Sequence, residues 1–331
     1  MSFSSSTTSF HDSRRIIVTG GTGLLGSALH SVITDENVLY MNSSLCDLTN
    51  ADQTAAIFKL LQPTHVIHLA ARVGGLFDNM KNNLEFFEQN VKINMNVLHQ
   101  CSLSPTVVKV VSCLSTCIFP DGIEMPLTID KLHKGLPHSS NIGYSFAKRM
   151  IDVENRILHT EEKPFIGVIP TNMFGPNDNF DLEKSHVIPA LIHKCYLAKR
   201  DSTPLYIRGS GKAKRQFLYS KDAAELIVRL MDSYSGVEPV ILAPSEEYTI
   251  SEVAQKIADI FKFDGKIVYE TTEGDIENDG NAENDGQNRK YADNSAITLL
   301  FPDFTFTPFE DALRETIHWF VKKQNVDMKS K

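Results

Sequence analysis

Two rhythms of apolar and polar residues divide the chain. In the first half, Arg15–Thr19, Val38–Met41, His65–Leu69, Val107–Ser112 and Phe165–Ile169 are short runs rich in β-branched residues. Their apolar positions are continuous rather than alternating, which predicts strands covered on both faces. Between them, Leu24–Ile33, Asn50–Leu61, Leu84–Gln100 and Tyr144–His159 repeat apolar positions at helical spacing, and Pro63 stops the second. Strand and helix in regular alternation predict an α/β fold built on a Rossmann-type, doubly wound parallel sheet.

Past Pro170 the rhythm changes. Pro and Gly become common, and short helices expected at His186–Ala198, Ser220–Tyr234 and Ser251–Phe263 are separated by isolated strands. A smaller α+β domain covering one end of the sheet is the expectation, with the helix from near Lys221 and the strand Pro239–Leu242 returning to the Rossmann unit. The division expected is 14–172 plus about 216–245 for dinucleotide binding, and about 173–215 plus 246–325 for substrate. Residues 1–13 read as a polar, disordered tail and 273–288 as a flexible acidic loop with a repeated Glu-Asn-Asp-Gly. Asp275, Glu277 and Asp279 are spaced as in a calcium loop, but Gly286 stands where the twelfth-position Glu belongs, so no metal is expected.

Composition narrows the function. A net charge of −8 over 331 residues argues against a general affinity for nucleic acid, so an anionic substrate would need local positive charge. No apolar stretch is long enough to span a bilayer. The five cysteines form no C-x-x-C pair, which points to a reducing, cytoplasmic setting.

Gly20, Gly23 and Gly26 follow the first strand and open the first helix. That spacing gives a tight turn, a close approach of backbone to a pyrophosphate, and helix packed tightly on sheet. Near the end of the second strand, where an NAD site carries a carboxylate, the chain has Tyr40-Met41-Asn42-Ser43-Ser44. Hydroxyl and amide groups there favour NADP. Asp47 and Leu48 suit an adenine edge, although an Asp in a turn before a helix reads equally well as a turn former.

Tyr144 and Lys148 lie four apart at the start of a helix and share a face. The ammonium, together with the positive ring of the cofactor, is expected to lower the phenol's pKa and let Tyr144 hand a proton to a carbonyl oxygen. Ser115, just past the fourth strand, is placed to hydrogen-bond the same oxygen, with Thr116 as a second hydroxyl or a turn residue. Cys117 has two readings: a small buried residue, or a thiolate that takes a proton beside a ketone. Its acid partner would be His186, which also reads as a helix-start capping or surface residue.

Several segments together resemble the GDP-L-fucose synthase family of extended short-chain dehydrogenases, over about Arg15 to Val321. They are His65–Ala71, Val73–Gly75, Ser112–Pro120, Gly143–Met150, Ile169–Pro176, Asp178–Phe180 and His186–Pro189. The resemblance implies a bifunctional NADPH enzyme that inverts C3 and C5 of GDP-4-keto-6-deoxy-D-mannose and then reduces C4. Cys117 would be the base and His186 the acid, with Ser115 and Tyr144 on the enolate oxygen and Lys148 supporting Tyr144. Cofactor contacts are implied at Gly20, Thr22, Gly23, Leu24, Leu25, Gly26, Asp47, Leu48, Leu69, Ala70, Ala71, Tyr144, Lys148, Pro170, Asn172 and His186. Substrate contacts are implied at Ser115, Thr116, Asn172, Lys194, Arg215 and Lys290.

A homodimer through the helices at 84–100 and 144–159 also follows from the resemblance. The chain departs from the family pattern at Arg208, where relatives tend to carry Trp, at Thr22, where some carry Arg, and in the acidic insert. Rival readings are a 4-epimerase, which needs no thiol, and a 4,6-dehydratase, which would carry Asp-Glu where this chain has Cys117-Ile118. A non-enzymatic NADP sensor would not need Ser115, Tyr144 and Lys148 intact.

Overall fold

The computed structural model describes residues 14–270 and 287–329. The expected tail, and the acidic loop apart from Gln287 and Asn288, lie outside the described residues. The first half runs β1 (Ile16–Thr19), α1 (Leu24–Val32), β2 (Val38–Met41), α2 (Ala51–Leu61), β3 (His65–His68), α3 (Leu76–Lys81), α4 (Asn83–Leu103), β4 (Lys109–Cys113), α5 (Ile142–Leu158) and β5 (Phe165–Pro170). Then come β6 (Asn172–Phe174), α6 (Val187–Asp201), β7 (Leu205–Arg208), β8 (Lys214–Arg215), β9 (Phe217–Tyr219), α7 (Ser220–Ser233) and β10 (Val240–Leu242). The chain continues with β11 (Tyr248–Thr249), α8 (Ile250–Phe261), β12 (Ile267–Glu270), β13 (Arg289–Lys290), α9 (Ser295–Leu300) and α10 (Phe309–Lys329).

Six strands form one sheet in the order β2-β1-β3-β4-β5-β10, and every neighbouring pair is parallel. The continuous apolar runs have the reason expected of them: β4 and β5 are buried along their whole length. One face packs on α2, α4 and α5 through Phe58, Val97, Leu98 and Ile151. The other packs on α1 and α7 through Leu25, Leu29, Ala223 and Ile227. The strand near 240 does return to this sheet, lying beside β5.

After β1 the chain moves to β2 on one side, then comes back to β3 on the other. The loops leaving β1 and β3 therefore diverge, and a crevice opens at the carboxyl ends of the strands. A third apolar cluster joins α6, α8 and α10 through Ile192, Ile257 and Leu313, beside short two- and three-stranded sheets.

Local signals set several boundaries. Asn50 caps α2 by accepting from the Gln53 N–H, and the left-handed Gln62 (φ 44°) ends it before Pro63. Thr249 and Glu252 form a reciprocal capping box at the start of α8. Three helices lie outside the pattern read from the sequence. Two of them, α3 and α9, have six residues each and are too short to show a period. The third, α10, is legible in retrospect, since Phe309, Leu313, Ile317 and Phe320 are buried at helical spacing.

Helix α4 runs to Leu103, past the expected end at Gln100. Its last carbonyls are met by Lys163, whose Nζ donates to Cys101, Ser102 and Ser104 oxygens at 3.3, 3.2 and 2.8 Å. A cation at this end also opposes the helix dipole. Replacing Lys163→Met should cost about 1–2 kcal/mol in urea unfolding. An unchanged midpoint would show that water serves those carbonyls equally well.

Candidate active site

The glycine loop is shaped by steric limits on its own backbone. Gly20 has φ +69°, and a Cβ on Gly26 would come within 2.5 Å of the Gly20 oxygen. A Cβ on Gly21 would lie 2.6 Å from the Cβ of Tyr40, so β2 closes directly over the loop. Gly23 starts α1 with no side-chain cap, which leaves the first-turn N–H groups for a ligand. This cradle fits the pyrophosphate of a dinucleotide. A cavity of about 600 Å³ beside it is lined by Thr22, Ser27, His30, Ser31, Tyr40 and Asn177. Within it, His30 stacks on Tyr40 with centroids 4.5 Å apart.

Behind the loop a buried chain of hydrogen bonds joins sheet and helices. Thr19 Oγ1 accepts from the Leu69 and Ala70 N–H groups at 3.1 Å, and lies 2.8 Å from His68 Nδ1. His68 Nε2 is 3.1 Å from Asn94 Oδ1, and Asn94 Nδ2 donates to the Ala147 oxygen at 3.0 Å. Burial, and then the nearby Lys148 ammonium, push His68 down to about 3. It is a neutral connector between the two strands and the helix that carries Tyr144.

The start of α5 fits closely against α4. A Cβ on Gly143 would meet the Asn83 oxygen at 2.1 Å, and Gly143 N–H donates to Asn83 Oδ1 at 3.0 Å. Tyr144, the next residue, is half-buried edge-on to Phe86 at 6.4 Å. Lys148 is 2% exposed and donates from Nζ to the Cys113 oxygen at 2.8 Å. Ser112 and Cys113 are buried in β4. Ser115 opens a short 3₁₀ turn, Thr116–Ile118, and its Oγ accepts from the Cys117 N–H at 3.3 Å. Its own hydrogen remains to be donated to a ligand oxygen. Thr116 is buried and Cys117 half-buried.

In the protein alone, burial and then the neighbouring Cys117 and Cys113 push the Tyr144 phenol well above its ordinary value. Burial in turn lowers Lys148. From the sequence only the ammonium is visible, whereas in the fold desolvation of the phenolate dominates. A raised phenol stays protonated, which suits a proton donor.

The opposite side of the cleft comes from the smaller region. His186 is not within α6 but is its N-cap residue, with no side-chain cap bond. The residue is exposed, yet the surrounding protein lowers its pKa by desolvation. Asn172 is exposed and donates from Nδ2 to the Gln216 oxygen at 3.1 Å. In the pairing of β13 with β8, Lys290 lies opposite Arg215. Burial pushes Lys290 down to about 8, and it feels both Cys117 and Arg215. Two adjacent cations here supply the local positive charge that an anionic ligand requires. Lys194 is set apart, donating to the Tyr206 oxygen at 3.2 Å.

Other expected residues fall into two groups. Leu69, Ala70 and Ala71 leave β3 and Pro170 ends β5, at the carboxyl edge of the sheet. Asp47 is exposed and one of its oxygens caps Thr49 N (3.0 Å) and Oγ1 (2.7 Å), the turn role; Leu48 is a core residue. Sequence reasoning missed Ser27, His30, Ser31 and Asn177. The first and third stand four apart on α1, a legible signal, while Asn177 arrives from a distant turn with φ 65°. Among the described residues no His, Cys, Asp or Glu cluster could hold a metal.

The chain can be compared with known proteins at this point. The NAD dependent epimerase/dehydratase family model matches residues 16–243. GDP-L-fucose synthase of Dictyostelium discoideum is 46% identical over 93% of this chain and 95% of its own. A probable GDP-L-fucose synthase of Drosophila melanogaster is 44% identical over 93% and 98%. A crystal structure of a GDP-L-fucose synthetase from Naegleria fowleri bound to NADP matches with a TM-score of 0.86 at 44% identity, covering 94% of each chain. Gly26→Ala, which forces a methyl into the loop backbone, should weaken NADP binding at least tenfold in a fluorescence titration. Binding within twofold of the parent would show that the cradle is not where the dinucleotide sits.

Proposed function

The chain belongs to the GDP-L-fucose synthases of the NAD dependent epimerase/dehydratase family, and on that premise we propose that it converts GDP-4-keto-6-deoxy-D-mannose to GDP-L-fucose. The observation that carries the reading is the gathering of Ser115, Cys117, Tyr144 and Lys148 at the end of β4, with the paired cations Arg215 and Lys290 nearby.

Cys117, as thiolate, takes the proton from C3 or C5, both made acidic by the ketone between them. The electrons of the broken C–H bond move onto O4, where Ser115 and Tyr144 donate hydrogen bonds to the enolate oxygen. His186, in the imidazolium fraction that its lowered pKa leaves, returns a proton to the opposite face, so the carbon inverts. Cys117 and His186 then exchange protons with solvent before the second carbon is treated. NADPH, when bound, supplies the hydride that reduces C4. Tyr144 gives its proton to O4 in that step, and a phenol kept protonated by burial is ready for it. Lys148, held by the Cys113 oxygen, stands one helical turn away to hold a ribose and support the phenolate.

The glycine loop would hold the pyrophosphate, with Thr22, Leu24 and Leu25 beside it. The cavity around Ser27, His30, Ser31 and Tyr40 offers hydroxyl and imidazole groups to a 2′-phosphate. Arg215 and Lys290 are assigned to the GDP diphosphate, with Asn172 and Thr116 near the sugar; Lys194 is a more distant member of the set. Residues 14–172 plus about 216–245 would serve the cofactor, and about 173–215 plus 246–325 the substrate.

A homodimer is part of the same proposal. Leu84, Met95 and Leu103 on α4, and Met150, Val153 and Ile157 on α5, leave exposed apolar surface on two helices that pack together. The five cysteines are free thiols, which supports a cytoplasmic setting. Among the described residues no helix is long and apolar enough to cross a membrane.

Two variants separate the half-reactions. Cys117→Ser should abolish deuterium uptake from heavy water at C3 and C5, followed by NMR, while NADPH still binds; normal exchange would remove the thiol from the mechanism. Tyr144→Phe should stop NADPH oxidation yet leave some exchange, and unimpaired oxidation would refute its role as donor.

A further inference from the structure

Two consecutive cations of α5 hold the two ends of one short segment. Lys148 binds the Cys113 oxygen, where β4 ends. Arg149 donates from Nε at 2.9 Å, and again from Nη2, to the Ile118 oxygen that closes the turn containing Cys117. Its Nη1 donates to the Gly135 oxygen at 2.8 Å, tying the same turn to the loop before α5.

This guanidinium is unusual in its surroundings. Arg149 is only 8% exposed, its hydrogen bonds go to carbonyl oxygens, and the Phe146 ring lies 5.4 Å from its carbon. A buried cation satisfied by neutral oxygens alone keeps its full charge and carries a desolvation cost. The ionisable group whose charge it feels is Cys117.

We propose that Arg149 is the positioning residue of the thiol base: it fixes the Thr116–Ile118 turn beside Ser115 and Tyr144. The inference rests on Cys117 being the base and adds what holds it. The other groups that feel that thiol's charge are Tyr144 and Lys148 from α5 and Lys290 from β13. Lys148 is committed to Cys113, and Lys290 loses its charge around pH 8. Arg149 is the cation in this group that stays charged throughout the working pH range.

The test uses Arg149→Met and the pH dependence of two readouts. The first is iodoacetamide alkylation of Cys117, with Cys117→Ser as background. The second is deuterium uptake at C3 and C5. The pH profile of alkylation should differ from the parent's, and uptake at pH 7 should fall about tenfold as the thiol is displaced, while NADPH affinity is unchanged. A folded variant with the parent's profile and uptake overturns the proposal. Should Arg149→Met fail to fold, Arg149→Lys decides: an ammonium lacks the planar fork that meets the Ile118 oxygen through two nitrogens and the Gly135 oxygen through the third, so uptake must fall several-fold with NADPH affinity kept, and full uptake overturns it. Failure of the base assignment itself looks different, because Cys117→Ser would then exchange normally.

Discussion

The burial of the Lys148 ammonium constrains the whole site. A cation at 2% exposure needs a partner, and it finds one in the carbonyl where β4 ends. That bond fixes the rotation and depth of α5 against the sheet. Tyr144, one turn earlier, is thereby aimed at the crevice, and the Gly143 contact with Asn83 sets how deeply it enters. The His68–Asn94–Ala147 chain holds the same helix from behind. Helix, strand end and switch point thus act as one rigid body, which a proton donor placed to within fractions of an ångström requires.

One ketone serves three steps, and the arrangement shows how a single cleft can manage them. The carbonyl acidifies the carbons on either side, so proton transfer at carbon and hydride transfer at C4 draw on the same oxygen. Ser115 uses its acceptor for the Cys117 N–H and keeps its donor for that oxygen. In the proposed mechanism the same turn would place the hydroxyl on the oxygen and the thiol beside the carbon skeleton. Tyr144 is held protonated by burial, so it can stabilise an enolate without losing the proton that reduction later needs.

Much of this was legible in the chain because it depends on local order. The parallel sheet follows from apolar runs buried on both faces, and the glycine loop and the Tyr144–Lys148 spacing are short-range patterns. The rest depends on meetings that distance along the chain conceals. Lys290 lies opposite Arg215 through a two-residue pairing that no periodicity announces. Asn177 reaches the α1 cavity from a turn far downstream. Arg149 follows Lys148 directly, and nothing in the sequence shows that both are buried. The raised Tyr144 phenol has the same origin: a charged neighbour is visible in a sequence and desolvation is not.

The most direct measurement supplies the unmodified protein with GDP-4-keto-6-deoxy-D-mannose and NADPH in heavy water. Cofactor oxidation is followed by absorbance and the product by NMR. GDP-L-fucose carrying solvent deuterium at C3 and C5, with protium delivered to C4, is the expected result. A reduced product that retains the parent configuration and protium at C3 and C5 would contradict it, leaving a plain 4-reductase.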